Sequence, residues 1–148
     1  MRGFLNVTAI LLMVLGFLFG SLTILSLHAS AQEGPGVPHI SPEELKHLIE
    51  SKAADIVIVD VQPKGAYEIG HIKGAFNFPW TTDIKSPNNL HRNKELILYC
   101  DCTHEEDSID TANQLMSKFG YTNIKVLEGG WSRWRNLGYP VEKGKGKK

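Results

Sequence analysis

Two short stretches of this 148-residue chain, Ile56-Val57-Ile58-Val59 and Leu96-Ile97-Leu98-Tyr99, are apolar at every position. Runs of that length, rich in β-branched and aromatic side chains, suit strands buried on both faces, as in a parallel sheet covered by helices. Helical signals fall around and between them. Ser41-Pro42-Glu43-Glu44 forms a capping box with Pro at the first helical position, followed by a Leu45, Leu48, Ile49 stripe. Ile109, Ala112, Met116 and Phe119 recur at helical spacing, Leu115 widens that stripe, and Gly120 stands where a terminating glycine belongs. Phe76-Asn77-Phe78 and Ile124 to Leu127 read as further strands, Gly129-Gly130 as a turn, and Trp131 to Leu137 as a short amphipathic helix. This alternation predicts an α/β fold with a parallel sheet. Sites in such sheets form outside the carboxyl ends of the strands, where Asp60 and Cys100 each stand.

The first 31 residues obey different rules. No charged residue occurs from Val7 to Leu27, Arg2 supplies a short positive start, and Ala29-Ser30-Ala31 makes a small-x-small site before Gln32. The layout predicts a secretory signal peptide over 1–31. An uncleaved signal anchor over 7–27 is the alternative, because the apolar run approaches the ~20 residues that span a bilayer. Either outcome places the remainder in an extracytoplasmic setting, periplasmic or secreted, with membrane contact only through that segment. Residues 32–39, with Gly-Pro-Gly inside, read as a flexible linker, and residues 143–148 as a solvated Lys/Gly tail. A single domain is expected over 40–142. Sixteen basic residues against sixteen acidic ones give no bulk attraction to nucleic acid. Two cysteines, Cys100 and Cys102, are too few for a disulfide framework or a four-cysteine zinc site.

The ordered motifs carry a resemblance. Asp60-Val61, Tyr67 and Gly70-His71-Ile72-Lys73-Gly74-Ala75-Phe76-Asn77-Phe78-Pro79 are similar to the first signature of rhodanese-like domains. Tyr99-Cys100, a loop, a helix, Gly120-Tyr121-Thr122-Asn123, Leu127-Glu128-Gly129-Gly130-Trp131 and Gly138-Tyr139-Pro140-Val141 resemble the remainder. The resemblance implies a three-layer α/β sandwich with a central, mainly parallel sheet flanked by helices. It also implies a sulfurtransferase whose catalytic cysteine, here Cys100, takes sulfane sulfur from thiosulfate or a persulfide and passes it to a thiol acceptor. Its partners would be those small molecules, or a protein, with no cofactor and no metal. The physical chemistry agrees: a strand-to-helix loop aims backbone N–H groups and the positive end of the helix dipole at the sulfur.

The active-site loop is where this sequence departs from that family. Asp101, Cys102, Thr103, His104, Glu105, Glu106, Asp107 and Ser108 form a longer loop than usual, with no Arg or Lys and four carboxylates. Gln62 and Ala66 also stand where Arg and Glu are common. A helix end stabilises an anion by ~0.3–1 kcal/mol, whereas each nearby carboxylate opposes it by about 1 kcal/mol at solvent-like dielectric. A doubly charged donor is therefore expected to bind weakly unless the acids serve as helix caps. Cys102 reads either as a resolving thiol, close enough for a strained disulfide with Cys100, or as a loop thiol without a role. Two readings stand beside the enzyme: a catalytically silent binding module, and a thiol-redox or soft-metal sensor built on Cys100, Cys102 and His104. Three ligands without a fourth make no closed metal site.

Overall fold

The computed structural model of the protein describes residues 36–87 and 90–145. The signal or anchor segment at 1–31, residues 32–35 of the linker and the last three residues of the tail lie outside the described residues. In chain order the elements are β1 (His39–Ile40), α1 (Pro42–Glu50), β2 (Ile56–Asp60), α2 (Lys64–Ile69), β3 (His71–Ile72), β4 (Phe76–Asn77), β5 (Glu95–Tyr99), α3 (Glu106–Phe119), β6 (Ile124–Leu127), α4 (Gly130–Asn136) and β7 (Val141–Glu142). Five strands form a sheet in the order β1-β6-β5-β2-β4, and each neighbouring pair is parallel. β3 and β7 pair antiparallel in a small separate ribbon. Among the described residues no helix is long and apolar enough to cross a membrane.

The two apolar runs take the central positions, β2 and β5, in register from Ile56 opposite Glu95 to Asp60 opposite Tyr99. Because side chains alternate along a strand, each run supplies both faces. Val57, Val59, Leu96 and Leu98 pack with Ala112 and Leu115 of α3. Ile56, Ile58, Ile97 and Tyr99 pack with Leu45 of α1, Tyr67 of α2, and Trp131 and Trp134 of α4. The result is the expected three-layer sandwich, with α3 on one face and the other three helices opposite. Ser41 caps α1 as its motif implies, its Oγ accepting the Glu44 amide at 3.1 Å. Gly120 ends α3 at φ +69, a left-handed conformation that costs glycine little. The α3 stripe is narrower than its spacing suggests, since Ala112 and Leu115 are buried while Met116 is exposed.

Asp60, at the end of β2, serves the fold. Its carboxylate is fully buried on the α1/α2/α4 face and accepts the Tyr99 hydroxyl at 2.5 Å and the Gln62 amide at 2.8 Å. The Tyr99 oxygen in turn accepts the Ile72 amide at 3.0 Å, tying the β3/β7 ribbon to the central strands. Burial pushes the Asp60 carboxyl above its ordinary value, and the hydrogen bonds from Tyr99 and Gln62 only partly offset that effect. The folded state thus holds the Asp60 proton more tightly than the unfolded chain does. Its contribution to stability declines as pH rises through the window between the ordinary and the raised value. In Asp60→Asn, which keeps an acceptor for Tyr99, that decline is expected to disappear. Chemical denaturation of both proteins at a series of acidic pH values reads it directly; parallel pH curves would exclude Asp60 as its source.

His71 is also structural. It is fully buried, stacks on Tyr67 with ring centroids 3.8 Å apart, and places Nδ1 2.8 Å from the Tyr67 carbonyl oxygen. The imidazole thereby fixes the turn between α2 and β3.

Candidate active site

Cys100 directly follows β5, where the alternation Leu96, Leu98, Cys100 sends its side chain to the α3 face. It is almost completely buried, 1% exposed, among Val59, Val61, Leu98 and Ala112. Cys102 packs against the same cluster but remains half-buried, and both thiols are free. Burial, with the Cys100 thiol and the Asp107 carboxylate beside it, pushes the Cys102 thiol well above its ordinary value. The Cys102 thiol is therefore held in its protonated form. A protonated thiol is a poor nucleophile, so proximity alone does not activate it.

The loop closes sooner than its sequence implies. α3 begins at Glu106, and the residue before it, Glu105, sits in the left-handed region at φ +55. Such a conformation costs a side-chain-bearing residue roughly 1–2 kcal/mol. The Glu105 carboxylate meets a partner there, accepting the Gly129 amide at 2.6 Å. Glu106 accepts the His104 amide at 3.1 Å, and the bonds from its own amide and from that of His104 draw its carboxyl below the usual range. Asp101 accepts the Ser132 hydroxyl at 2.5 Å. Thr103 and His104 are exposed, whereas Ser108, in the first turn of α3, is fully buried with no hydrogen-bond partner for its hydroxyl. Glu105 and Asp101 thus tether the loop to the turn before α4 and to α4 itself. Nothing in the linear sequence pairs residue 105 with 129 or 101 with 132.

That turn presses closely on the cysteine. The Trp131 amide donates to the Cys100 carbonyl at 2.8 Å, and a Cβ on Gly130 would lie 2.2 Å from the same oxygen. Gly130, at φ +49, is therefore required both for its conformation and for its lack of a side chain. Cys100, Cys102, Asp107 and Ser108 are gathered around the start of α3, while Thr103 and His104 face outward. Among the described residues no three His, Cys, Asp or Glu side chains are placed to hold a metal ion. The exposed His104 is thus not brought together with the two thiols as a three-ligand group.

A buried cysteine at the end of a central parallel strand, before a helix and clamped by a Gly-Gly-Trp turn, accompanies a match to the rhodanese-like domain over residues 41–137. The chain belongs to the rhodanese-like family. This rhodanese-like chain is 33% identical over 109 residues to the thiosulfate sulfurtransferase GlpE of Pseudomonas entomophila, a match covering 72% of the chain and 92% of that enzyme. It is 32% identical over 87 residues to the adenylyltransferase and sulfurtransferase UBA4 of Meyerozyma guilliermondii, covering 55% of the chain. The match spans only 20% of that relative's length. Among solved structures, the BH2092 protein of Bacillus halodurans superposes with a TM-score of 0.65 at 25% identity, covering 74% of this chain and 79% of the other. Sulfurtransferases thus stand among the relatives of this rhodanese-like domain at modest identity.

Proposed function

We propose that the protein is an exported sulfurtransferase that carries sulfane sulfur as a persulfide on Cys100 and passes it to a thiol acceptor. The observation that carries this reading is the position of Cys100, directly after β5 with its side chain on the face of α3. The positive end of a helix favours thiolate over thiol and stabilises the bound sulfur anion. Attack of the Cys100 thiolate on the outer sulfur of thiosulfate forms a new S–S bond and expels sulfite with the electron pair of the broken bond. With an organic persulfide as donor, a thiolate leaves instead. Both steps transfer one sulfur atom with no external oxidant. The thiosulfate sulfurtransferase relative supports the donor class. Export is supported by the charge-free run and the small-x-small site within residues 1–31.

Within the loop, Cys102 packs against the cluster that holds Cys100; held protonated, it acts as a resolving thiol only after losing its proton, then forming the Cys100–Cys102 disulfide and releasing the bound sulfur as sulfide. The Glu105 carboxylate is engaged with the Gly129 amide and so turns away from the start of α3, whereas the Glu106 carboxylate holds its own amide and that of His104. A second reading, the silent binding module, is favoured by the 1% exposure of Cys100, which requires the loop to open before any donor reaches sulfur.

Incubation with thiosulfate, and separately with an organic persulfide, followed by intact-mass measurement decides between them. The expected result is a gain of one sulfur that is lost again on addition of thiol. No gain with either donor would leave the binding module standing.

A further inference from the structure

Ser108, in the first turn of α3, is fully buried, and its Oγ has no hydrogen-bond partner, the Cys100 thiol included. Among the described residues one other buried side-chain atom stands so, His71 Nε2, and the Glu142 carboxylate lies 3.9 Å from it. Other hydroxyls on α3 bond back to the carbonyl four residues earlier. Thr111 Oγ1 donates to Asp107 at 2.7 Å, and Ser117 Oγ to Asn113 at 2.6 Å. For Ser108 that carbonyl belongs to His104, which precedes the left-handed Glu105 and lies outside the helix. Burying a hydroxyl without a partner costs stability, and in a folded protein such a group calls for an explanation.

The direction of the side chain supplies one. Ser108, Ala112 and Leu115, at i, i+4 and i+7, share the buried face of α3. Ala112 and Leu115 pack in the aliphatic cluster that contains Cys100. Helical side chains lean towards the helix N-terminus. Ser108 therefore lies one turn closer to the loop than Ala112, leaning towards the end of β5 where Cys100 stands. The N–H groups before it are taken: that of Glu106 is held by its own carboxylate, and that of Asp107 faces the Cys102 sulfur. The Ser108 hydroxyl is thus an uncommitted donor beside Cys100 that does not bond its thiol. A persulfide reaches about 2 Å beyond Sγ and carries its negative charge on the outer sulfur.

We propose that Ser108 is a catalytic residue whose hydroxyl donates a hydrogen bond to the outer sulfur of the Cys100 persulfide. The proposal rests on the sulfurtransferase reading and names the group that tells the loaded cysteine from the free one. When the Cys100 thiolate attacks the outer sulfur of thiosulfate, a new S–S bond forms. Sulfite departs with the electron pair of the bond that breaks, and the charge of the thiolate passes to the outer sulfur. Ser108 meets that charge as it develops and keeps its own proton throughout. In the return step an acceptor thiolate attacks the outer sulfur, and the electron pair of the broken bond goes back to Cys100 Sγ. Neither step needs an oxidant or a reductant. Because the hydrogen bond exists only on the loaded side, it favours loading and opposes reversal by sulfite.

The test is the loading equilibrium of Ser108→Ala in mixtures of thiosulfate and sulfite, or of an organic persulfide and its thiol, with the loaded fraction read by intact mass. The equilibrium constant should fall about tenfold or more, the loss of a hydrogen bond to a charged group. About a tenth as much sulfite would then unload half of the protein. Unloaded Ser108→Ala should melt no lower than the wild type, because alanine removes a buried hydroxyl that had no partner. Thr111→Ala is the control: its hydroxyl is partnered within the helix, so this variant should melt lower and load as the wild type does. A purely structural Ser108 would reverse the pattern, and either a lower melting temperature or an unchanged loading equilibrium in Ser108→Ala overturns the proposal. Equal loading of wild type and Ser108→Ala removes the role of Ser108 alone. No loading of the wild type by either donor removes the sulfurtransferase reading, and the proposal with it.

Discussion

Replacing Cys100 by serine or alanine is expected to lower kcat/KM for sulfur transfer by at least about a thousandfold, to the background of the uncatalysed exchange. A hydroxyl is not ionised at neutral pH and forms no persulfide, and alanine offers no nucleophile. The two variants should differ in stability. Cys100 lies in an aliphatic cluster at 1% exposure, so serine places a hydroxyl there without a partner. That costs about 1–3 kcal/mol, whereas alanine leaves only a small void. Loss of transfer in both variants, with the larger drop in melting temperature in the serine one, is the expected pattern. Cys102→Ser is expected to load sulfur as the wild type does and to change only its release or oxidation, since the Cys102 thiol rests protonated. Sulfur loading that survives in Cys100→Ala and disappears in Cys102→Ser would reverse the assignment of the nucleophile.

The part of this architecture that local pattern controls is legible in the chain. The runs ending at Asp60 and Cys100 specify the two central strands because only a sheet covered on both faces hides four consecutive apolar side chains. Ser41 and Gly120 mark helix ends by their own chemistry, acting over three or four residues. The structure differs where long-range contacts decide. Of the loop acids, Glu106 and Asp107 do stand in the first turn of α3, but Glu105 is held in the left-handed region by the amide of Gly129, 24 residues away. Helix α3 consequently begins at Glu106, three residues before Ile109, the first position of its apolar stripe. Asp60 ends a strand as functional residues in such folds do, yet its buried bonds to Tyr99 and Gln62 give it a structural role. Position at a strand end marks where chemistry is available; the partners, which arrive from other elements, determine whether it is used. A cleft beside Trp131 shows the same limit, since Gln62, Ile69, Arg135 and Lys143 converge on it from separate stretches of chain.

Gly130→Ala is expected to damage fold and site together, because one glycine joins the α4 turn to the backbone of Cys100. An added Cβ would lie 2.2 Å from the Cys100 carbonyl oxygen, far inside van der Waals contact, and the obstacle is backbone that no rotamer change can relieve. The φ of +49 adds roughly 1–2 kcal/mol for any residue with a side chain. Relief requires the turn and the cysteine to separate, which stretches the 2.8 Å bond from the Trp131 amide and removes about 1 kcal/mol more. These two terms add to about 2–3 kcal/mol, equivalent to a fall of about 10 °C in melting temperature for a domain of this size. Gly138→Ala supplies the control: Gly138 also has a positive φ, +70, but a Cβ there would meet nothing within 4 Å. That variant should lose only the conformational part and should load sulfur normally. Gly130→Ala should load more slowly even at temperatures where it remains folded, because the carbonyl that moves belongs to the nucleophile's own residue. Thermal unfolding and persulfide loading of the two variants separate the contributions. Equal losses would mean that left-handed backbone alone is at stake and that the turn does not hold Cys100 in place.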